Sequence, residues 1–546
     1  MAHDLVIRGG AIVDGSGAAR RTGDVAVDGD RLRQVGGRAG PGRREIDAEG
    51  LVVAPGFIDP HTHYDAQICW DPALTPSCWN GITSVVMGNC GFTLAPCRAD
   101  GRERIMRMLE RVEGMSLAAL REGIRWDWET FPEYLDALAA LRPSLNVGGL
   151  VGHSALRYYA MGEAATEREA RAEELEAMRA ELRAALAAGA LGFSSSQAPT
   201  HIGGDGKPVP SRFASDEEVL ALAAVLGEVG RGAFEITAKN LVDVKVSIEA
   251  ARRSGRPVSF LGAVTPEGQR AVARAREQGL LLLPQTSCRP SLMDFRLDEM
   301  GIFDQLPCWG RVARTARAEL PEVFRDAEFR KRFREDVNGE LEGYRLFKGD
   351  WEGVRIILAE RPESRGLIGK TVAELAARRG QDPTDAFFDL ALEDGLRMQF
   401  SYCLSPDVDR KDTLLDEGYM IGLSDAGAHL TLLADHAYTT WFLGRWVRER
   451  RLMPLEQAVR KLTQVPAAFF GIPERGVLRA GCFADVVLFD PERVAARETE
   501  LVYDLPGGGP RVSTRAEGIE ALIVNGALTV ERGELTGARC GHVIRG

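Results

Sequence analysis

The sequence predicts an α/β protein built on a (β/α)₈ barrel of the TIM type. Short apolar runs alternate with amphipathic helical stretches through the middle of the chain, a pattern typical of parallel strands joined by helices. Eight such runs can be counted, and eight parallel strands imply closure into a barrel. The candidate strands are Leu51–Ile58, Ile82–Met87, Val147–Val151, Leu191–Phe193, Ala233–Thr237, Val258–Gly262, Leu280–Gln285 and Met420–Ser424.

Both chain ends carry a different, turn-rich pattern of short strands. Turns are predicted at Gly9-Gly10 and at Asp28-Gly29-Asp30, and Asn525-Gly526 is a strong hairpin signal near the other end. We expect residues 1–52 and 475–546 to fold together into one small β-sandwich. Residues 53–474 then form the barrel.

The stretch from about 288 to 397 is too long for a loop between a strand and a helix. It is rich in charged helix formers, for example over 325–337, and a helix is also expected over Thr166–Ala188. The long stretch is predicted to be a helical insertion that shapes the substrate pocket, because loops after barrel strands build the active-site face. The alternative is a surface or oligomerisation element.

The composition favours small-molecule chemistry in a reducing compartment. Of the 546 residues, 45% are hydrophobic and 27% charged, which are ordinary globular values. The net charge of -11 comes without a basic run interleaved with aromatics, so no nucleic-acid partner is expected. No signal peptide and no long apolar segment is recognisable, and nine scattered cysteines suit free thiols. The expectation is a cytoplasmic protein without a membrane partner.

The strongest chemical signal is the run Gly56-Phe57-Ile58-Asp59-Pro60-His61-Thr62-His63. Residues two apart in an extended chain share a face, so His61 and His63 project together from a strand end. Imidazole is the commonest ligand of a divalent metal in proteins. The pair is therefore predicted to bind a metal ion, the alternative being two histidines on a solvated loop.

A carboxylate follows the last predicted strand in a similar way. Asp425 stands among small residues in Ser424-Asp425-Ala426-Gly427, where it could ligate the metal and accept a proton from water. A helix N-cap is the structural alternative for this residue.

Four motifs together resemble the amidohydrolase superfamily, and within it the N-acyl-D-amino-acid deacylase branch. The motifs are 56–63, Gly88-Asn89-Cys90-Gly91-Phe92, Gly152-His153-Ser154-Ala155-Leu156-Arg157 and 424–427, and the resemblance extends over nearly the whole chain. The resemblance implies that His61 and His63 ligate the metal and that Asp425 is both ligand and general base. It also implies that Cys90 supplies a thiolate ligand, although a lone buried cysteine is the alternative.

The chain departs from the family on the fifth and sixth strands, where the family supplies one histidine each. Here Thr237 and Gly262 stand at those positions, and no histidine occurs between His201 and His429. We therefore expect one zinc ion rather than two. Glu235 precedes Thr237 on the same face and is a candidate replacement ligand, or else a buried carboxylate paired with a cation.

Several further residues are candidates for contact with the substrate. His153 could donate to the developing oxyanion, and Arg157 could bind a substrate carboxylate or pair with an internal acid. His201, on a glycine-rich loop, is expected to be solvated. The remaining candidates for substrate binding are Arg289, His429 and Tyr64.

The sequence thus predicts a metal-dependent hydrolase that cleaves an amide bond of an N-acyl amino acid. Asp425 would assist attack by metal-activated water and later protonate the leaving amine. The D configuration follows only from the resemblance. A cyclic amide, imide, lactone or urea-like substrate is the first alternative, and a non-catalytic binding protein that kept the fold is the second. The expected partner is a small molecule, and a homo-oligomer is compatible with the sequence.

Overall fold

The computed structural model describes residues 2–204, 206–239, 244–261, 265–297, 302–303, 305–339, 346–405, 410–430 and 435–546. These residues form two compact units. The first comprises 1–289, 410–429 and 434–546, and the second comprises 290–409 and 430–433. The α/β class predicted from the sequence is confirmed, since parallel strands and helices alternate through the first unit.

The first unit begins with five strands. They are β1 (His3–Ile12), β2 (Arg21–Asp28), β3 (Arg31–Val35), β4 (Gly42–Asp47) and β5 (Val52–Pro55). The turn expected at Asp28-Gly29-Asp30 is confirmed between β2 and β3. The turn expected at Gly9-Gly10 is wrong, because β1 continues through both glycines. A register shift and a positive φ of 66° at Gly9 absorb the irregularity as a bulge.

Seven parallel strands follow, each paired with its neighbours in chain order. They are β6 (Phe57–Thr62), β7 (Ile82–Met87), β8 (Asn146–Gly152), β9 (Gly192–Ser196), β10 (Ala233–Thr237), β11 (Val258–Leu261) and β12 (Leu282–Thr286). The predicted first strand, Leu51–Ile58, is divided between β5 and β6 because the two segments pair with different sheets. Gly262 lies outside the described residues.

Helices connect these strands. They are α1 (Arg102–Val112), α2 (Leu117–Gly123), α3 (Phe131–Leu141), α4 (His153–Met161), α5 (Ala172–Ala187), α6 (Asp216–Val229), α7 (Lys245–Ser254) and α8 (Pro266–Glu277). The helix expected from Thr166 begins later, since residues 162–166 form a 3₁₀ turn. A capping box between Thr130 and Glu133 fixes the start of α3.

The second unit is not purely helical, contrary to the expectation for 288–397. Its helices are α9 (Gly310–Ala313), α10 (Leu320–Arg325), α11 (Ala327–Asn338), α12 (Val372–Arg379) and α13 (Pro383–Glu393). An antiparallel sheet accompanies them, in the order β13 (Ser291–Phe295), β15 (Gln399–Ser405), β14 (Val354–Leu358). An aromatic core that includes Phe303, Phe333 and Phe387 packs inside this unit.

The parallel sheet of the first unit is completed by β16 (Met420–Ile421), which pairs with β12. A parallel bridge between Thr62 and Ala426 then joins the two edges of the sheet, so the sheet is curled. The helical segments of this region are α14 (Lys411–Leu415), α15 (Tyr438–Trp441), a π-helix (Phe442–Glu449), α16 (Leu455–Leu462) and α17 (Gln464–Phe470). Phe469 and Phe470 join an apolar cluster with Ile58, Val86 and Leu150 of the sheet.

The remaining strands return to the N-terminal ones. They are β17 (Val486–Phe489), β18 (Ala495–Ala496), β19 (Glu500–Val502), β20 (Arg511–Ser513), β21 (Ala516–Glu517), β22 (Ile519–Val524), β23 (Ala527–Glu531) and β24 (Glu534–Leu535). A nine-stranded sheet runs in the order β24-β23-β22-β17-β5-β1-β2-β3, with β4 paired to β1. The predicted hairpin at Asn525-Gly526 is confirmed between β22 and β23, with positive φ at both residues.

Among the described residues, none of the helices is long and apolar enough to cross a membrane.

Candidate metal centre

The polar residues of the predicted site meet at the carboxyl ends of the parallel strands. His61 is the last but one residue of β6, and Cys90 follows β7. One ligand atom from each of His61, His63 and Cys90 can be chosen so that all lie within 4.8 Å of one another. All three side chains are buried. This convergence is what a single ion needs.

Asp425 faces both histidines from the loop after β16. Its Oδ1 lies 3.3 Å from Nε2 of His61 and 3.7 Å from Nε2 of His63, and Cys90 Sγ lies 3.4 Å from His61 Nε2. The Asp425 side chain is 24% exposed, so it is the member of the set that solvent can reach. Two imidazoles, a thiol and a carboxylate are a donor set that suits zinc.

The backbone is held in unfavourable conformations at this site. Cys90 and Asp425 adopt left-handed φ values of 54° and 46°, which non-glycine residues rarely adopt. Such conformations persist only where surrounding structure enforces them, and they cluster at functional sites. Gly427 is required nearby, because a Cβ there would lie 2.7 Å from the carbonyl oxygen of His63.

Hydrogen bonds hold the first and last strands of the sheet in register at the site. The Ser424 hydroxyl donates to the His61 carbonyl at 2.9 Å, and the His63 N–H donates to the Ala426 carbonyl at 2.7 Å. Nδ1 of His61 lies 3.0 Å from Oε1 of Gln285, at the end of β12. This contact fixes the proton on Nδ1 and leaves Nε2 free as a ligand. Sequence reasoning missed Gln285, although a polar residue at the end of a predicted barrel strand was the available signal.

The charge states of His61 and Asp425 favour metal binding. Burial lowers the pKa of His61 to about 4, so its imidazole is neutral. Burial opposes the charge on Asp425, but the hydrogen bond to His63 and the charges of both histidines lower its pKa below the usual range. Burial and the Glu235 carboxylate raise the pKa of the Cys90 thiol to about 12. A bound cation would reverse that shift, since coordinated thiols are deprotonated.

Glu235 contacts the Cys90 loop from β10. Its Oε2 accepts the Cys90 N–H at 2.7 Å, while Oε1 is buried without a hydrogen-bond partner among the described atoms. Burial raises the pKa of Glu235 to about 8. Thr237, at the position of the missing fifth-strand histidine, lies with Oγ1 3.4 Å from Cys90 Sγ. Glu235 therefore adjoins the ligand cluster, and one of its oxygens has no hydrogen bond to a described atom.

His153 and Arg157 are placed differently from the expectation. Both side chains are fully buried, and Glu218 of α6 binds both of them. His153 Nε2 lies 2.9 Å from Glu218 Oε1 and its Nδ1 lies 2.8 Å from the Ser195 hydroxyl, while Arg157 contacts both Glu218 oxygens. This is a correction to the predicted roles of oxyanion donor and carboxylate binder. The internal ion pair is the alternative that the placement favours.

The substrate contact predicted for Tyr64 is also corrected. It is fully buried, and its hydroxyl lies 2.7 Å from the Ser77 hydroxyl, so it packs inside the fold rather than against a substrate. Arg289 forms an ion pair with Asp435, Nε to Oδ1 being 3.3 Å, and its guanidinium lies 5.0 Å from the Trp441 ring centre. These contacts stabilise Arg289 within the first unit.

His429 stays a candidate at the site. Its side chain is 26% exposed, and its backbone has a left-handed φ of 47°. The His429 N–H donates to the Glu113 carbonyl at 2.5 Å, and Nε2 lies 3.9 Å from Glu113 Oε2. Glu113 itself also faces His63, Oε1 to Nδ1 being 3.4 Å. No sequence motif marked Glu113.

His201 is partly buried rather than freely solvated. Its Nδ1 lies 2.6 Å from the Ser196 hydroxyl, and its ring centre lies 5.1 Å from that of Phe92. Burial lowers the pKa of His201 to about 3, with further lowering by the nearby charges of His429, His63 and Arg212. His201 therefore packs against Phe92, which follows the Cys90 loop.

Arg212 adjoins His201 and was missed by sequence reasoning. Its Nη1 donates to the His201 carbonyl at 3.1 Å. The guanidinium is half-buried, burial lowers its pKa, and no carboxylate of the described residues forms an ion pair with it. Arg212 thus places a positive charge beside His201, without an ion-pair partner among the described residues.

The known proteins that resemble this chain belong to one class of enzyme. The chain is 31% identical over 560 residues to D-aminoacylase of Alcaligenes xylosoxydans xylosoxydans, a match that covers 99% of this chain and 97% of the relative. The structure of N-acyl-D-glutamate deacylase from Bordetella bronchiseptica, solved with zinc and a phosphonate mimic of the tetrahedral intermediate, superposes with a TM-score of 0.69 at 30% identity and covers 100% of both chains. A structure of D-aminoacylase superposes with a TM-score of 0.68 at 28% identity and covers 100% of both chains. Its binuclear centre is described as activated by one metal and attenuated by a second. These relatives define a class of enzymes that deacylate N-acyl-D-amino acids.

The sequence profile of the amidohydrolase family matches residues 44–530 of the chain. The chain belongs to this family.

Proposed function

We propose that the protein is a zinc-dependent hydrolase that cleaves the amide bond of an N-acyl amino acid. One observation carries the proposal: a single oxygen of Asp425 faces Nε2 of both His61 and His63, beside the sulfur of Cys90. This arrangement brings nitrogen, sulfur and oxygen donors to one point. The deacylating relatives support the same reaction type.

His61, His63, Cys90 and Asp425 would hold the ion. Zinc supplies polarisation of the amide carbonyl and a lower pKa for water. Asp425 is the group that moves protons, because its lowered pKa keeps it ionised and its carboxylate is partly open to solvent. It accepts a proton from the attacking water at Oδ and delivers it to the nitrogen of the leaving amine.

We propose one ion per chain. Thr237 cannot replace a histidine as a metal ligand, and its hydroxyl is beside the Cys90 sulfur instead. Glu235 is the residue that could add an oxygen ligand, through the buried Oε1 that has no hydrogen-bond partner among the described atoms. The one-metal activation described for a related D-aminoacylase makes a single-ion centre chemically reasonable.

Arg212 is our candidate for the substrate carboxylate, in place of Arg157. A half-buried guanidinium that has no carboxylate partner among the described residues is a strong binding site for an anion. His429, partly exposed beside Asp425, is a second candidate for substrate contact. The D configuration of the substrate is proposed only because the relatives are named for it.

The architecture proposed for this activity is a (β/α)₈ barrel with a β-sandwich built by both chain ends. The bridge between Thr62 and Ala426 supports closure of the sheet, and the pairing of β5 with β17 supports a joint module. A cytoplasmic location and a small-molecule partner are proposed with it. Nine free cysteines support the reducing compartment.

The proposal is tested by zinc content and hydrolysis of N-acyl-D-, N-acyl-L- and cyclic amide substrates. We expect zinc near one equivalent and hydrolysis of linear N-acyl amino acids. In Asp425→Asn, kcat should fall by roughly 100-fold or more, since general acid–base groups contribute 10²–10⁴-fold. The matched control, Asp100→Asn on the exposed surface, should keep wild-type activity. Full activity of Asp425→Asn would refute the mechanism, and hydrolysis of cyclic amides alone would refute the substrate class.

A further inference from the structure

Glu113 is a buried carboxylate that belongs to no motif. It follows the last residue of α1 and is 2% exposed. Its two oxygens face two different imidazoles: Oε1 lies 3.4 Å from Nδ1 of His63, and Oε2 lies 3.9 Å from Nε2 of His429. A carboxylate is costly to bury unless positively polarised groups surround it. These two rings are its ion-pair partners among the described residues.

The imidazole of His63 needs a hydrogen-bond acceptor at Nδ1. Its Nε2 faces Asp425, so a metal at the centre takes the lone pair of Nε2 and the ring proton must sit on Nδ1. Nδ1 is buried and forms no hydrogen bond with any described atom. Glu113 Oε1, at ion-pair distance, is the acceptor that faces this nitrogen.

We propose that Glu113 is a positioning residue that fixes the tautomer and orientation of His63 for metal binding. The inference rests on the proposed function. Carboxylates that accept the second N–H of a metal-bound histidine orient the ring and raise its basicity. In this chain the role corresponds to that of Gln285 at His61, so each histidine has its own partner at Nδ1.

The same carboxylate also connects three segments of the chain. Glu113 stands in the connection after β7, His63 follows β6, and His429 follows β16. The Glu113 carbonyl accepts the His429 N–H, so the residue holds the His429 backbone as well. Removing the side chain should therefore disturb His63 directly and leave the backbone contact to His429 in place.

The first measurement is zinc affinity by chelator competition, for wild type, Glu113→Ala and Glu113→Gln. Glu113→Ala should bind zinc about 10- to 100-fold more weakly, the usual cost of losing such a partner. Glu113→Gln keeps an acceptor oxygen and should recover part of that loss. Glu110→Gln, in α1 three residues before Glu113, is the matched control. Equal zinc affinity in wild type and Glu113→Ala would overturn the proposal.

The second measurement is the ¹⁵N spectrum of histidine-labelled, metal-free protein, assigned with a His63→Ala variant. We expect the Nδ1–H tautomer for His63 in wild type and a shift to the Nε2–H tautomer in Glu113→Ala. An unchanged spectrum overturns the proposal. This readout does not depend on zinc, so failure of wild type to bind zinc would refute the proposed function while the spectrum still decided the role of Glu113.

Discussion

The side-chain oxygen of Gln285 lies 3.0 Å from Nδ1 of His61, on the side of the ring opposite to Asp425 and Cys90. Gln285 is the last but one residue of β12, and β12 lies six places away from β6, the strand of His61, in the order of the sheet. The contact makes the orientation of His61 depend on the correct curling of the whole sheet.

Gln285→Ala should lower zinc affinity by about 10- to 100-fold, because His61 loses the acceptor that keeps its proton on Nδ1. Chelator competition measures the change. Gln278→Ala, at the exposed residue that follows α8, is the control and should bind zinc as wild type does. Equal affinities for the two variants would show that Gln285 does not orient His61.

Glu218→Gln should destabilise the protein by roughly 3–5 kcal/mol, because Arg157 would keep its charge in a fully buried position without a partner. Urea unfolding measures the loss. The control is Glu228→Gln on the same helix, where an exposed pair with Arg179 is worth about 0–1 kcal/mol. A variant Arg157→Met that folds normally and raises only KM would instead restore the substrate-binding role of Arg157.

The ion pair between Glu218 and Arg157 predicts that the folded protein loses stability in acid. Burial opposes the charge of Glu218, but hydrogen bonds from His153 and the Arg157 guanidinium lower its pKa from 4.5 to about 2. The unfolded chain therefore binds the proton more readily than the folded one. The stability from Glu218 is present above pH 4.5 and is lost as the pH falls towards 2. Melting temperatures across this range should fall more steeply for wild type than for Glu218→Gln, and parallel curves would contradict the assignment.

Arg212→Gln should raise KM for N-acyl amino acids by roughly 10- to 100-fold with little change in kcat, since a charge-assisted hydrogen bond is worth about 1.5–3 kcal/mol. Amides that lack the carboxylate should be hydrolysed equally by wild type and variant. Arg43→Gln, on the exposed surface, controls for loss of charge. An unchanged KM for the carboxylate substrates would exclude Arg212 from the binding site.

Local patterns predicted many of the strands and the convergence of His61, His63 and Cys90. Apolar runs located the parallel strands, and the spacing of His61 and His63 indicated the candidate metal centre. The division of Leu51–Ile58 between two sheets could not be predicted from the sequence, because an apolar run does not reveal which strand each half will pair with. The roles of Glu113, Gln285 and Glu218 depend on contacts between residues far apart in sequence, and no local pattern encodes them. The sheet β13-β15-β14 was missed for the same reason, since long helical segments separate its strands.

The pairing of β5 with β17 has a consequence for biosynthesis. Val53 is hydrogen-bonded in register with Leu488, so the strand that leads into the first histidine motif lacks one neighbour until most of the chain has left the ribosome. During that interval an apolar strand edge is open to wrong partners. The nascent chain should therefore depend on chaperones, and its yield should respond to translation speed and temperature more than that of a protein whose strands pair locally.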